Sequence, residues 1–383
     1  MLAYCFLLVK WMSDIADKIY PEVDTFSSII SGPDWNMAII APARGKKVQA
    51  VEECIFCPES RDKLVEPFLS GNLREEMESR DLYILRNAYP VVTPSENIPN
   101  GIANRGFYGV FHDKNILPGE HILMIETPNH NLNPFSSSHE AKEYYNNLVW
   151  GYIQMLKSLK EKGYSWAGLG KNRNGIYLDG STIDAGASQP HPHSQAISMD
   201  FVPRNLDRIL FELNRHPGEL KRDSLGELLP ACPSCQQDRD GVFQNIKLVF
   251  DGMHVSYVVP NPTLNPYHIE IRIAPINHQS HFEEMSLEQS ASFATVLHET
   301  MIKLNKSYPN MGYNFELKQG PWKSDRYGIK NVYNIKNSHW KFGVYPAWPN
   351  LDTEKNIGFI SHLLGVAVLK VLPYQLAKKI NQK

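Results

Sequence analysis

No apolar run in the sequence approaches the ~18–20 residues that a helix needs to span a bilayer, so a membrane partner is not expected. Neither sign of charge is in excess: 39 Lys and Arg stand against 41 Asp and Glu, a formal charge of -2. A chain this close to neutral has no bulk electrostatic attraction to nucleic acid or anionic lipid, and any phosphate it handles is bound locally. No low-complexity segment is present, and 42% hydrophobic with 21% charged residues excludes disorder, collagen and coiled coil. At about 150 residues per domain, 383 residues give two to three domains or one duplicated unit. Leu2 to Val9 are apolar, yet no basic leader precedes them and no small-residue cleavage pattern follows Lys10. They read as a buried strand, or as an over-long start upstream of Met12, and the expected location is cytoplasmic.

Cysteine is scarce as well. Of five, four form the pairs Cys54/Cys57 and Cys232/Cys235, and Cys5 stands alone. Disulfide scaffolds are short and cysteine-dense, which this chain is not. Thiols three apart are metal ligands, a redox pair or reduced structural thiols. A redox pair belongs at a helix start after a strand, whereas Pro58 follows Cys57 and Ala231 to Ser234 has the composition of a turn, so both pairs resemble zinc knuckles.

The histidines carry a repeat. Thr127-Pro-Asn-His130 ends the apolar stretch Ile122 to Ile125, and Pro275-Ile-Asn-His278 ends the alternating stretch His268 to Ile273; both read as strands. A long amphipathic helix is predicted after each, from about His139 to Lys162 and, from the capping box Ser286-Leu-Glu-Gln289, to about Lys306. Gly163-Tyr-Ser-Trp166 and Gly312-Tyr-Asn-Phe315 follow, and then a histidine in a short strand, His191 or His339. The separations 130 to 191 and 278 to 339 are both 61 residues. The pattern predicts an α+β protein made of two like units, each an antiparallel sheet with a long helix. The units are expected at 1–205 and 206–383, with Pro203 to Pro230 as a charged connection containing a short helix, Leu206 to Asn214.

His191-Pro-His-Ser-Gln195 carries the most chemical information. Alternate strand residues share a face, so His191, His193 and Gln195 are expected to point one way, with one imidazole on a metal and the next a nucleophile. Pro192 removes a ladder donor and suggests an edge strand. Gly186-Ala-Ser188 offers small residues, a hydroxyl and backbone N–H groups able to bind phosphate oxygens, and Asn172 and Asn174 could add donors. The plainer alternative for a His-x-His is a pair of metal ligands.

The string Gly186-Ala-Ser-Gln-Pro-His-Pro-His-Ser-Gln195 resembles the active-site signature of the galactose-1-phosphate uridylyltransferase family of the histidine-triad superfamily. The resemblance continues through Trp35-Asn-Met-Ala-Ile-Ile-Ala-Pro-Ala-Arg44, Cys54-Ile-Phe-Cys57, Leu85-Arg-Asn-Ala-Tyr-Pro90, Pro275-Ile-Asn-His278 and His339-Trp-Lys-Phe342. It implies duplicated histidine-triad folds and transfer through a nucleotidylated histidine. Cys54, Cys57, His130 and His191 would hold one zinc, and His193 would attack the α-phosphorus of a nucleoside diphosphate sugar. Ser188 and Gln195 would contact its phosphates, with Gly186 in the same loop and Arg44 and Asn87 near the nucleotide. Arg44 as a solvated loop cation and Asn87 as a turn residue are the plainer readings.

The second half departs from the pattern, because Lys341 stands where many relatives carry another histidine. That half would lack the covalent step, with Lys341 either contacting a sugar phosphate or simply an exposed strand lysine. Cys232, Cys235, His278 and His339 would fill a second, structural zinc site, giving two Zn2+ per chain. The resemblance implies a homodimer that exchanges a hexose 1-phosphate, galactose 1-phosphate foremost, on a UDP-sugar. The alternatives are an ADP-glucose or dinucleoside polyphosphate phosphorylase with orthophosphate as acceptor, and a catalytically idle nucleotide-binding or zinc-stabilised scaffold.

Overall fold

The computed structural model describes residues 54–63, 68–94, 118–177, 179–200, 247–258, 270–324 and 338–347, with shorter pieces that include the strands at 28–31, 37–40, 115–116, 218–222, 228–231 and 367–369. The apolar Leu2 to Val9, and Arg44, Cys232 and Cys235, lie outside the described residues. The chain divides into two compact units: residues 1–48, 88–121 and 366–383 form one, and residues 49–87 and 122–365 the other.

In the smaller unit, β1 (Ser28–Ser31) pairs antiparallel with both β2 (Met37–Ile40) and β4 (Asn115–Ile116), while β17 (Ala367–Leu369) runs parallel to β2. Val91 and Val92 are fully buried, and the Val91 N–H donates to His121 Nδ1 at 3.1 Å.

The larger unit is built on a nine-stranded sheet in the order β12-β13-β14-β16-β15-β6-β9-β5-β3. Its strands are β3 (Tyr83–Arg86), β5 (Gly119–Ile125), β6 (Trp166–Arg173) and β9 (His193–Met199) from the first half, and β12 (Lys247–Phe250), β13 (His254–Val258), β14 (Ile271–Pro275), β15 (Gly312–Lys318) and β16 (Lys341–Ala347) from the second. Read outward from the central pair β6–β15, the two sides repeat: β9 answers β16, β5 answers β14 and β3 answers β13. The sequence repeat is thus an approximate two-fold in the sheet, and strands from both sides of residue 205 share one ladder, Tyr313 to Leu317 against Arg173 to Leu169. Elsewhere a short helix α1 (Gly71–Ser79) precedes β3, β7 (Gly175–Ile176) pairs with β8 (Thr182–Ile183), and the connection after Pro203 forms a hairpin of β10 (Gly218–Arg222) and β11 (Leu228–Ala231). The charged composition of that connection did not announce a hairpin.

The long helices fall where the periodicity put them, α2 at His139–Glu161 and α3 at Leu287–Ser307. Ser138 caps α2, its side chain accepting from the Ala141 N–H at 3.2 Å. Ser286 and Gln289 make both bonds of a capping box, at 2.8 and 3.1 Å, which satisfies donors that a helix start leaves unpaired. Both helices pack on one face of the sheet and against each other. Leu148, Leu156, Leu297 and Met301 meet Ile122, Ile273, Phe315 and Phe342 in one core. Gly151 lets α2 approach β5: a Cβ there would stand 2.5 Å from Met124 Sδ. Truncating such a buried leucine to alanine costs about 2–5 kcal/mol. With one helix face taken up by this core, chemistry is left to the opposite face and to the strand mouths.

Candidate active site

Four ligand-type side chains converge where the Cys54-Ile-Phe-Cys57 turn meets the residues after β5 and before β9. Cys57 Sγ lies 3.4 Å from His130 Nδ1 and 3.6 Å from His191 Nδ1, and Cys54 Sγ is 3.6 Å from His191 Nδ1. All four ligand atoms fall within 4.8 Å of one another. With metal–sulfur bonds near 2.3 Å and metal–nitrogen bonds near 2.0–2.1 Å, the sulfur–nitrogen edge of a tetrahedron is about 3.6 Å. The spacing therefore suits two thiolates and two imidazoles around one ion. His191 Nε2 lies 2.8 Å from the Thr127 carbonyl; donating that N–H fixes the tautomer and leaves the Nδ1 lone pair facing the thiols.

His191 lies in a bend just ahead of β9 rather than in the strand, so its ring turns toward the cysteines while His193 and Gln195 share the sheet face opposite the helices. Pro192 was expected to mark an edge. Instead β9 is interior, between β6 and β5, and Pro192 precedes the first ladder residue, where no N–H is required of it. His193 is nearly buried, and its Nδ1 lies 2.8 Å from its neighbour's carbonyl, His191 O. Donation through Nδ1 sets the lone pair on Nε2, the atom a nucleophile uses. The Phe56 ring, inside the Cys-x-x-Cys turn, packs 5.3 Å from the His193 ring and 6.3 Å from His191. Sequence reasoning passed over Phe56, although its place between two ligands was a usable signal.

Asn87 joins this group directly, its amide donating to Gln195 Oε1 at 3.2 Å. Asn172 and Asn174 do something other than expected: they brace the loop before the histidines. Asn172 donates to Gly186 O at 3.2 Å and Asn174 to Ala187 O at 3.0 Å. The N–H groups of Ala185 and Ala187 donate to Asn174 Oδ1, and that of Gly186 to Asp184 Oδ1. Two of the N–H groups expected to await phosphate, those of Gly186 and Ala187, are thus already used in shaping the loop. Gly186 takes a left-handed φ of 83°, a conformation that costs glycine little. Ser188 lies half-buried between this loop and His191.

Behind β9, on the helix side, lies a polar cluster that the sequence did not reveal. The Glu126 carboxylate accepts from Tyr144 at 2.6 Å, from Lys171 Nζ and from Ser194 Oγ. Tyr152 OH is 2.6 Å from Ser194 Oγ, and Lys171 Nζ donates to Tyr144 at 2.8 Å. Glu126 and Lys171 have fully buried side chains. Burial pushes the Glu126 carboxyl up, but the charge of Lys171 and the bonds from Lys171, Ser194 and Tyr144 outweigh it, so its pKa lies below the usual range. For Lys171 burial is the largest influence and lowers the pKa to about 8 despite the attraction of Glu126. Both groups are charged at neutral pH.

In the second half, His278 and His339 stand as His130 and His191 do: ring centroids 5.3 Å apart at 82°, against 5.2 Å and 87°. Their expected partners Cys232 and Cys235 lie outside the described residues. Lys341 opens β16 as His193 opens β9, and it is half-buried rather than exposed. Among the described residues no helix is long and apolar enough to cross a membrane.

Comparison with known proteins bears on this geometry. No family model matches the sequence. A galactose-1-phosphate uridylyltransferase of Thermotoga maritima is 25% identical over 186 residues, covering 43% of this chain and 54% of that protein. The chain thus spans about half the length of the curated relative it matches. A solved uridylyltransferase structure superposes with a TM-score of 0.59 at 19% identity, covering 93% of this chain and 97% of the other. An ADP-glucose phosphorylase from Arabidopsis thaliana, solved with bound ADP-glucose, gives 0.56 at 18% identity, covering 93% and 99%. The chain has the fold of these structures, and the comparisons agree with the resemblance carried by its motifs.

Proposed function

We propose that the protein is a nucleotidyltransferase that exchanges hexose 1-phosphates on a nucleoside diphosphate sugar, with UDP-glucose and galactose 1-phosphate as the first pair to test. The observation that carries this reading is the His193 imidazole, held through Nδ1 on His191 O at 2.8 Å on the same strand face as Gln195. In the first step Nε2 attacks the α-phosphorus, an N–P bond forms, and the bond to the bridging oxygen breaks with hexose 1-phosphate leaving. In the second, a phosphate oxygen of another hexose 1-phosphate attacks the same phosphorus and the N–P bond breaks. Neutral imidazole is a competent nucleophile near pH 7, and phosphoryl transfer depends chiefly on positioning and charge stabilisation. A phosphate monoester, with a second pKa of about 6, leaves without a general acid. That suits Gln195, which can hydrogen-bond an oxygen but cannot deliver a proton.

Cys54, Cys57, His130 and His191 would hold a zinc ion, and the S···N edges of 3.4–3.6 Å support that assignment. With all four positions supplied by protein, zinc there would fix the bend that carries His191 and so the base of the nucleophile strand. Arg44, Asn87 and Ser188 are proposed nucleotide and phosphate contacts, and a cytoplasmic homodimer remains part of the proposal. The second reading is a phosphorylase that passes an adenylyl group to orthophosphate, favoured by the extra pair Cys232/Cys235, which some family members of the ADP-glucose phosphorylase type possess.

Incubation with UDP- and ADP-sugars labelled in the α-phosphate, followed by alkaline denaturation, tests both. A base-stable, acid-labile label on His193 is expected, released by galactose 1-phosphate if the first reading holds and by orthophosphate if the second does. Absence of label from every donor would leave the idle scaffold as the surviving reading.

A further inference from the structure

We infer that the buried Glu126–Lys171 pair, acting through Ser194, positions the His193 imidazole; the inference rests on the reading of His193 as the nucleophile. Glu126 and Thr127 together hold every residue flanking His193. The Glu126 N–H donates to Pro192 O at 3.2 Å, the Thr127 carbonyl holds His191 Nε2 at 2.8 Å, and the Glu126 carboxylate takes the Ser194 hydroxyl. Pro192 O belongs to the peptide plane that leads into His193, and His191 O, which receives His193 Nδ1, belongs to the plane just before it. Glu126 pins the later plane and Thr127 the His191 ring, and together these hold the carbonyl that directs the imidazole. On the other carboxylate oxygen Lys171 and Tyr144 both bind, so the carboxylate cannot swing away from Ser194.

The second half is an internal control. Gly170 lies opposite Gln195, and Glu316 lies opposite Gly343. One residue on, the position of Lys171 is therefore taken by Leu317, and that of Ser194 by Phe342, which pair with each other and are both fully buried. Ala274 stands four residues ahead of His278, as Glu126 stands ahead of His130. Where the nucleophile position is Lys341, the cluster is apolar. Replacing a buried ion pair by apolar groups is often neutral or stabilising, so stability gives no reason to keep the charged version. The difference on the reactive face, His193 and Gln195 against Lys341 and Gly343, does.

The test uses zinc-loaded full chain labelled with 15N-histidine, in which two-bond nitrogen–proton correlations report the tautomer of each imidazole. His193 is expected as a single Nδ1–H form in the parent. Ser194→Ala, which leaves the ion pair intact, should give a mixture of tautomers, as should the neutral combination of Glu126→Gln with Lys171→Met. Single-turnover nucleotidylation should fall by about 10–100-fold with nucleotide-sugar Kd within about twofold, the size of effect that misplaced groups produce. Ser194→Thr, which keeps the hydroxyl, should restore both. An unchanged tautomer in Ser194→Ala and in the combined variant overturns the inference. If the parent takes no label from any nucleotide sugar, the functional reading fails, and the tautomer comparison still decides the positioning claim.

Discussion

The two histidine pairs differ by 0.1 Å in separation and a few degrees in tilt, yet the residues two and four further along are His193 and Gln195 in one half and Lys341 and Gly343 in the other. The frame that sets a pair of imidazoles at the mouth of a central strand is shared; the chemistry beyond it is not. The two halves agree in what sets the sheet and the histidine pair, and they differ at the positions for which the reactive role is proposed. The difference reaches through the sheet, since the helix side behind His193 is charged and the same depth behind Lys341 is apolar.

The sharpest way to break this comparison is to remove each strand's reactive-face residue. His193→Ala should abolish nucleotidyl adduct and exchange, a loss above about 10⁴-fold of the kind seen when a covalent nucleophile is deleted, while keeping fold and metal. Lys341→Ala should leave adduct formation within about threefold, which rapid-quench labelling can resolve.

The metals sharpen it next. Elemental analysis should find two zinc ions per chain in protein purified without chelator. His191→Ala should lose one of them together with activity, whereas His339→Ala or Cys232→Ser should lose the other and chiefly lower Tm, because a closed structural site contributes folding energy. Loss of both ions from either single variant would contradict two separate sites.

Stability separates the halves a third time. Lys171→Met strips Glu126 of its buried counter-charge and should cost about 3–5 kcal/mol in denaturant unfolding. Leu317→Met, at the matching position, should cost less than about 1.5 kcal/mol. Equal costs would mean that the ion pair carries nothing beyond packing.

The smallest effect concerns His254 in the second half. Its ring is fully buried against Phe293 and Trp340, Nδ1 lies 2.8 Å from Ser292 Oγ, and Ser292 donates in turn to Asp251 at 2.5 Å. Burial lowers the His254 pKa to about 4, with Asp251 opposing, from an ordinary 6.5. Between these values the unfolded chain binds the extra proton, so stability falls as pH drops through that window. The loss should be about 2 kcal/mol by pH 5, and His254→Phe should flatten it.

The elements that the sequence revealed were those governed by local rules. Ser138 and Ser286 mark helix starts through their own side chains, and the apolar faces of α2 and α3 recur at helical spacing. The 61-residue separation located both histidine pairs because it is a property of the chain alone. What stayed hidden was decided by distant partners. Pro192 looks like an edge residue until β5 and β6 are seen to flank β9. Lys171, Glu126 and Ser194 are polar residues that read as surface, and only the sheet register brings them together beneath α2. Asn172 and Asn174 offer the same donors to a loop carbonyl as to a phosphate, and nothing local says which.

The central pairing of β6 with β15 has a consequence for assembly. Severed between the halves, the first would end in β6 as an open edge, and such an edge is a template for another strand. Two copies could then join β6 to β6, giving a symmetric sheet with a His193 on each side. Carrying both halves on one polypeptide removes that option: every β6 finds a β15, and a strand bearing His193 always shares its sheet with one bearing Lys341. Covalent linkage here enforces an unlike pairing, so the residue at the head of β16 can differ from His193 without changing the strand that carries His193.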